Sequence, residues 1–261
     1  MPSHIPDLKR TSRPLLRVTF SLGKRTALSE AMTLSIVIPV LNDAEALRNA
    51  TPRLEELRAR GAQIIIVDGG STDESRLVAK TCADLVLEAP CGRGAQMNAG
   101  AVRATGEVVL FLHADTHLPK DADRLIEAAF ADPSRVWGRF DVRIVPTTPL
   151  LTLVARAMNL RSRLTSIATG DQAIFIRRTT FDAIGGFAEI PLMEDVAISK
   201  RLKHKGAPVC LREQVSTSAR RWKEHGIVRT IILMWYLRFA YFMGADTRVL
   251  ARRYGYVPRA S

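Results

Sequence analysis

The chain has 261 residues, 47% hydrophobic and 25% charged, which suits a globular chain of one large domain, or one domain with extensions. Its three cysteines, Cys82, Cys91 and Cys210, are too few and too scattered for a disulfide framework and lack metal-ligand spacing, so a reducing cytosol is the expected setting. The net charge of +12 is uneven, with six basic against two acidic residues in 1–31, 18 against 21 in 32–198 and 14 against 3 in 199–261; no zinc-finger, RNP or helix-turn-helix pattern accompanies the basic end, which argues against nucleic acid and leaves anionic lipid or a diphosphate.

Residues 1–31 hold Pro2, Pro6 and Pro14, scattered basic residues, no sustained period and no apolar h-region. They read as a disordered extension, as residues ahead of a true start at Met32, or as a short targeting arm, and not as a secretory signal. From residue 34 the pattern changes. Residues 34–40 read as a buried strand carrying Pro39, and Asn42 and Asp43 can cap a helix to about Arg60, stopped by Gly61. Strands are expected over 64–67, 85–87 and 107–112, and helices over 71–82, 93–104 and 120–130. This alternation implies βαβ units and a mostly parallel α/β sheet flanked by helices. A strand over 136–145 can sit on a mixed part of the sheet. Helices follow over 150–160, 179–184 and 194–205, with strands over 172–177 and 208–211. Residues 226–254 read as one long helix or two.

Asp68 and Asp115 each end a short apolar run, Ile64-Ile65-Ile66-Val67-Asp68 and Leu110-Phe111-Leu112-His113-Ala114-Asp115. Ligands of open α/β sheets bind outside the carboxyl ends of the strands, so both carboxylates are expected at one site for a metal ion or a nucleotide-like ligand. The alternative is that each only caps a following helix.

These residues, with others in order, resemble the GT-A family 2 glycosyltransferases over about residues 34–222. The matching elements are Ser35-Ile36-Val37-Ile38-Pro39 with Asn42, Val67 to Asp73, Asn98 and Gly100 with Ala104, Gly106 and Glu107, then His113-Ala114-Asp115, Gly185-Gly186-Phe187, and Glu194-Asp195. The run Gly92-Arg93-Gly94-Ala95-Gln96-Met97-Asn98 is similar to the subgroup named radical-SAM/selenodomain-associated transferase 2. His113 stands where the family's Asp-x-Asp element begins with Asp. Ser218-Ala219-Arg220-Arg221-Trp222 is similar to the Gln-x-x-Arg-Trp element of processive members, with Ser218 in place of Gln.

The resemblance implies a GT-A fold of the Rossmann-like, nucleotide-diphospho-sugar transferase kind over 32–225, with a basic helical extension over 226–261. It implies an inverting, metal-dependent transfer from a sugar nucleotide. Asp195 is the expected base, since a carboxylate must take the acceptor hydroxyl's proton. Glu194 beside it can raise a pKa, or both acids can serve the helix dipole. Asp115 can hold Mg²⁺ or Mn²⁺ against the diphosphate. Expected donor contacts are Pro39, Asp68, Arg93, His113 and Arg221; expected acceptor contacts are Asp171, Glu194 and Trp222. Solvated or structural roles stay open for Arg93, His113 and Asp171, Asn98 reads as structural, and His225 is a lesser metal candidate.

The run Ile231 to Met243 is apolar but split by Arg238. A central arginine costs roughly 2.5–3.5 kcal/mol on insertion scales, which disfavours a membrane span and leaves a core-packing or an interfacial helix. The latter would bring small or lipid-like acceptors and peripheral contact with the inner face of the cell membrane. Two other functions are weighed. A nucleotidyltransferase wants a basic glycine-rich loop after the first strand, where this chain has Pro39-Val40-Leu41-Asn42. A non-catalytic surface module would rest on His113 and is opposed by Asp195.

Overall fold

The computed structural model describes Met1 and residues 32–256. The expected disordered extension, from residue 2 on, lies outside the described residues. Four apolar runs form the first strands, Leu34–Val40 (β1), Gln63–Asp68 (β2), Leu85–Glu88 (β3) and Val108–Phe111 (β4). Between them lie Ala44–Ala59 (α1), Ser75–Cys82 (α2) and Arg93–Val102 (α3). There follow Thr116–His117 (β5), Ala122–Ala129 (α4), Trp137–Val145 (β6), Pro149–Thr165 (α5), a 3-10 turn Gly170–Gln172, Ile174–Arg177 (β7), Arg178–Ala183 (α6), Glu194–Lys203 (α7) and Val209–Ser218 (β8). Three helices close the described chain: Arg220–His225 (α8), Ile227–Phe242 (α9) and Thr247–Tyr254 (α10).

One eight-stranded sheet runs in the order β3-β2-β1-β4-β7-β6-β8-β5. Only β7 and β5 run against the rest, so the sheet is mostly parallel. The central strands are covered on both faces, which is why they read as unbroken apolar runs. On one face Ile36, Ile38, Ile64 and Ile66 meet Leu47, Leu54 and Leu57 of α1 and Val78 of α2. On the other, Val37, Ile65 and Val67 meet Met97 of α3, Phe181 of α6 and Ile198 of α7. Each such side chain contributes about 1.5–3 kcal/mol on burial. Gly100 lets α3 lie on the sheet, since a Cβ there would stand 2.3 Å from Cγ1 of Val37.

The structure corrects several expected boundaries. Helix α2 starts at Ser75 rather than 71, because Ser71, Thr72 and Asp73 are engaged by the loop after β1. Strand β8 continues well past 211 to Ser218, pairing with β6 across a register shift at Phe140/Asp141. The exposed polar residues Arg212, Glu213 and Gln214 hid that extension. Strand β5 and helix α8 were not expected at all. The C-terminal apolar run is two helices, parted near Gly244, whose φ of 86° ends the first.

Candidate functional site

The loops leaving β1 and β2 are stitched into one rim. Asn42 has a positive φ of 51°, and its Oδ1 accepts from the backbone N–H of Thr72 at 2.7 Å. Asp73 accepts from Ser75 N at 2.9 Å and from Ala44 N at 3.1 Å. Desolvation opposes its charge, but these bonds hold its carboxyl below the ordinary range. Asp68 is buried at the end of β2 and accepts from the N–H of Ser71 at 3.1 Å and of Gly70 at 3.3 Å. It shapes this loop from inside. Pro39 is buried in β1 opposite Val67, so its side chain takes no open place in the cleft. The capping alternative is excluded for both acids: the residue before α2 is Glu74, and Asp115 leads into β5 rather than a helix.

Helix α3 brings Arg93 to the same end of the sheet. Buried Gln96 anchors that end by donating from Nε2 to the carbonyls of Val40 at 2.9 Å and Val67 at 2.8 Å. Asn98 exchanges two hydrogen bonds with the backbone of Phe187, donating at 3.0 Å and accepting at 2.8 Å. This is a structural clasp between α3 and the Gly185-Gly186-Phe187 turn. Arg93 is exposed and lines the cleft. Desolvation acts against its charge, but Glu194, with Tyr254, Asp171 and Asp195, outweighs it and raises its pKa.

The turn Gly170–Gln172 meets the first turn of α7 across the cleft. The backbone N–H of Gly170 donates to Oδ2 of Asp195 at 3.0 Å, while Oδ1 of Asp195 accepts from Val196 N at 2.7 Å. Glu194 is 4% exposed. Burial, then repulsion from Asp195, pushes its carboxyl up to about 7 against the pull of Arg93. His113 Nδ1 lies 3.4 Å from Oδ1 of Asp171. Burial works to raise Asp171, yet His113, with Arg93 and Arg238 behind it, holds the carboxyl below its ordinary range. The His113 ring lies where a Cβ of Gly170 would be, 2.3 Å from two of its atoms, so the turn needs glycine there.

Asp115 stands beside this cluster, in a shallower pocket shared with Glu45, His117 and Arg220. Burial raises its pKa, and Asp171 and Asp43 add to that, while His113 and Arg93 oppose it. Its closest hydrogen-bond donor is the Thr116 hydroxyl at 3.5 Å. A desolvated carboxylate with free oxygens and acidic neighbours suits a hard cation. Among the described residues no group of three or more His, Cys, Asp or Glu side chains is preassembled for a metal. Arg221 lies over the Tyr254 ring, 3.8 Å from its centroid, and donates to the Tyr254 carbonyl at 3.3 Å. Trp222 packs beside Ile144 and Leu151, and His225 is exposed.

A cavity of about 690 Å³ unites most of these groups. Arg93, His113, Asp171, Glu194, Asp195 and Trp222 all line it, as does Tyr254 of α10. Asp115 and Arg221 adjoin it; Pro39 and Asp68 do not reach it. The sequence reading missed Arg161 of α5, and treated Arg238 of α9 as an interruption of the apolar run and as one of the arginines that could meet an anionic membrane. Both line this cavity. The signal was available in the helical period: Leu150, Val154, Ala157 and Arg161 share one stripe, as do Ile231, Met234, Trp235 and Arg238, and in each stripe an arginine takes an apolar place.

The model of the family described as Glycosyl transferase family 2 matches residues 35–188. The chain belongs to that family. A PGL/p-HBAD biosynthesis glycosyltransferase of Mycobacterium bovis is 35% identical over 165 residues, covering 59% of this chain and 62% of the relative. An undecaprenyl-phosphate 4-deoxy-4-formamido-L-arabinose transferase of Sodalis glossinidius is 34% identical over 111 residues, covering 38% of this chain and 34% of the relative. The chain thus spans less than two thirds of the length of these relatives. Among solved structures, the mannosyltransferase PcManGT of Pyrobaculum calidifontis, in complex with GDP-Man and Mn²⁺, superposes with a TM-score of 0.58 at 20% identity, over 86% of this chain and 65% of that one. TarS of S. aureus gives 0.58 at 17% identity, over 72% and 61%. Both are similar in fold, the GT-A arrangement expected from the sequence.

Proposed function

We propose that this family 2 member transfers a sugar from a nucleotide-diphosphate donor to an acceptor hydroxyl, with inversion at the anomeric carbon. The observation that carries the reading is the convergence of Asp195, Glu194, Arg93, His113 and Asp171 in one cavity at the carboxyl ends of the strands, with Asp115 alongside. Asp195 takes the proton of the acceptor hydroxyl. The oxygen attacks the anomeric carbon as the bond to the diphosphate breaks. Arg93, at the N-terminus of α3, steadies the charge that develops on the departing diphosphate. The rim built by Asn42, Asp68 and Asp73 receives the nucleoside, with Pro39 supporting it from β1 and His113 closing its inner side. Arg221 stands at the outer edge, and Asp171, Glu194 and Trp222 face the acceptor.

A divalent cation, Mg²⁺ or Mn²⁺, would be held by Asp115 and would supply Lewis-acid stabilisation of the leaving group. PcManGT's complex with Mn²⁺ supports that reading.

The catalytic body is residues 32–225, and 226–261 form a basic extension. The Gly92 to Asn98 run supports membership of the radical-SAM/selenodomain-associated transferase 2 subgroup. The undecaprenyl-phosphate relative supports a lipid-like acceptor, and with it a cytoplasmic enzyme working peripherally at an anionic membrane. Among the described residues no helix is long and apolar enough to cross a membrane.

Thermal denaturation with a panel of sugar nucleotides, each with and without Mn²⁺, tests the transferase reading. A true donor at 100 times its Kd stabilises the native state by about 2.7 kcal/mol, so the melting temperature rises. No shift with any sugar nucleotide removes the reading.

A further inference from the structure

The cavity holds two cations that the transfer chemistry above does not use. Arg161 projects from α5 and Arg238 from α9. Nε and Nη2 of Arg161 are out of contact with solvent and have no hydrogen-bond partner. Neither guanidinium has a carboxylate within 4.0 Å among the described residues. Desolvation, then repulsion from Arg238, brings the Arg161 pKa down to about 10, with Asp195 opposing and Arg139 adding to the repulsion. A buried donor left without a partner is destabilising, and two like charges facing one space add to it. A fold does not retain such a pair for stability.

The rest of that wall is apolar. Val154 and Met158 of α5 face Met234 and Trp235 of α9. Exposed Leu153 of α5 and Phe239 of α9 also line the cavity, and exposed Leu160 of α5 lies beyond it. The volume suits one small-molecule ligand.

We infer that this cavity binds an acceptor with an anionic group on an apolar body, the anion seated between Arg161 and Arg238 and the apolar part lying along α5 and α9. The inference rests on the transferase reading and names its acceptor class. A guanidinium fork matches a phosphate or a carboxylate, and the apolar stripes exclude a free sugar or a peptide of mixed polarity. Anchoring the anion beside Asp195 sets the acceptor's reactive oxygen at the base.

The test is equilibrium binding to the full chain, read by the intrinsic fluorescence of Trp222 and Trp235, which line the cavity. The probes are decyl phosphate, decanoate, decanol and inorganic phosphate, all kept below micelle-forming concentrations. Decyl phosphate or decanoate is expected to bind at least tenfold more tightly than decanol, and the comparison of the two acids identifies the head group. Arg161→Met and Arg238→Met should each reduce that affinity to the decanol level and leave decanol binding unchanged. Arg161→Met should melt no lower than wild type, since it removes a partnerless buried charge. Equal binding of decanol and both acids, or variants that bind the acids as wild type does, overturns the inference. Displacement by inorganic phosphate at concentrations similar to decyl phosphate overturns its apolar half. Loss of sugar-nucleotide stabilisation in the arginine variants would assign the pair to the donor and also overturn it. If no sugar nucleotide binds wild type while the acids bind through the arginines, the transferase reading fails and the anionic amphiphile site stands.

Discussion

Gly170 donates its backbone N–H to Oδ2 of Asp195 at 3.0 Å, joining the turn that enters β7 to the first turn of α7. The bond orients the carboxylate toward the cavity. It also uses one lone pair and leaves others for a proton.

Asp195→Asn keeps a carbonyl oxygen to accept from Gly170 or Val196, so the fold and donor binding should stay near wild type. It removes the base. Turnover with the donor identified by thermal shift should fall by about 100-fold or more. Turnover within twofold of wild type takes Asp195 out of the chemistry.

Asp115→Ala should abolish the cation dependence of donor binding, because the remaining neighbours form no preassembled metal cluster among the described residues. Calorimetry of donor binding with and without Mn²⁺ measures this. The same Mn²⁺-dependent affinity in the variant would place the ion on other residues, with exposed His225 a poor substitute.

Glu194 gives a pH dependence whose sign is fixed. Its ordinary value is 4.5 and its folded value is about 7. Below 4.5 the carboxyl is protonated in both states and contributes nothing. Between 4.5 and about 7 the native state holds more protons than the unfolded state, so stability falls as pH rises. Above 7 the full penalty is present. Glu194→Gln should therefore melt higher than wild type at pH 8, by about 4–8 °C if roughly 2 kcal/mol is recovered, and should match it at pH 4. An equal difference at both pH values would mean that the effect is packing rather than ionisation.

The half of the molecule carrying β1 to β4 was legible because its strands are buried on both faces and its helices bury one stripe each. The period and the turn residues then agree with the fold. The rim was legible through Asp68 and Asp73, and the acid pair through Glu194 and Asp195, because carboxylates next to apolar runs stand out. What escaped was set by long-range pairing. The exposed residues 212–214 belong to a strand only because β6 lies beside them. Arg161 and Arg238 are separated by most of the C-terminal part of the chain, and nothing local announces that α5 and α9 turn them toward one space. Pro39 and Asp68 were rightly placed at the sheet end, but burial gives them the loop's architecture rather than an open face.

Helix α9 divides the two readings of the C-terminal apolar run between its faces. Leu237 is buried, and Leu233, Met234 and Tyr241 pack with Leu192 and Val196, so one face belongs to the core. The other carries Val228, Ile232, Trp235, Phe239 and Phe242, exposed by 62, 64, 74, 66 and 58%. Their spacing of three or four residues makes a continuous apolar stripe. Exposed Arg229, Arg252 and Arg253 stand on the same C-terminal pair of helices, while Arg238 turns into the cavity and Arg248 pairs with Asp246 at 2.9 Å. Such a stripe suits an interface of headgroups and acyl chains; Arg253 is engaged by Tyr236, and exposed Arg229 and Arg252 each add about 1 kcal/mol at an anionic surface, screened over about 10 Å at 0.1 M salt. Flotation with phosphatidylglycerol vesicles should carry the protein upward at low salt, less at high salt, and not vanish there. Ile232→Ser with Phe242→Ser, both outside the cavity, should remove the part that survives high salt. Protein that stays wholly in the soluble fraction at low salt would leave the stripe without a lipid partner and end the membrane reading.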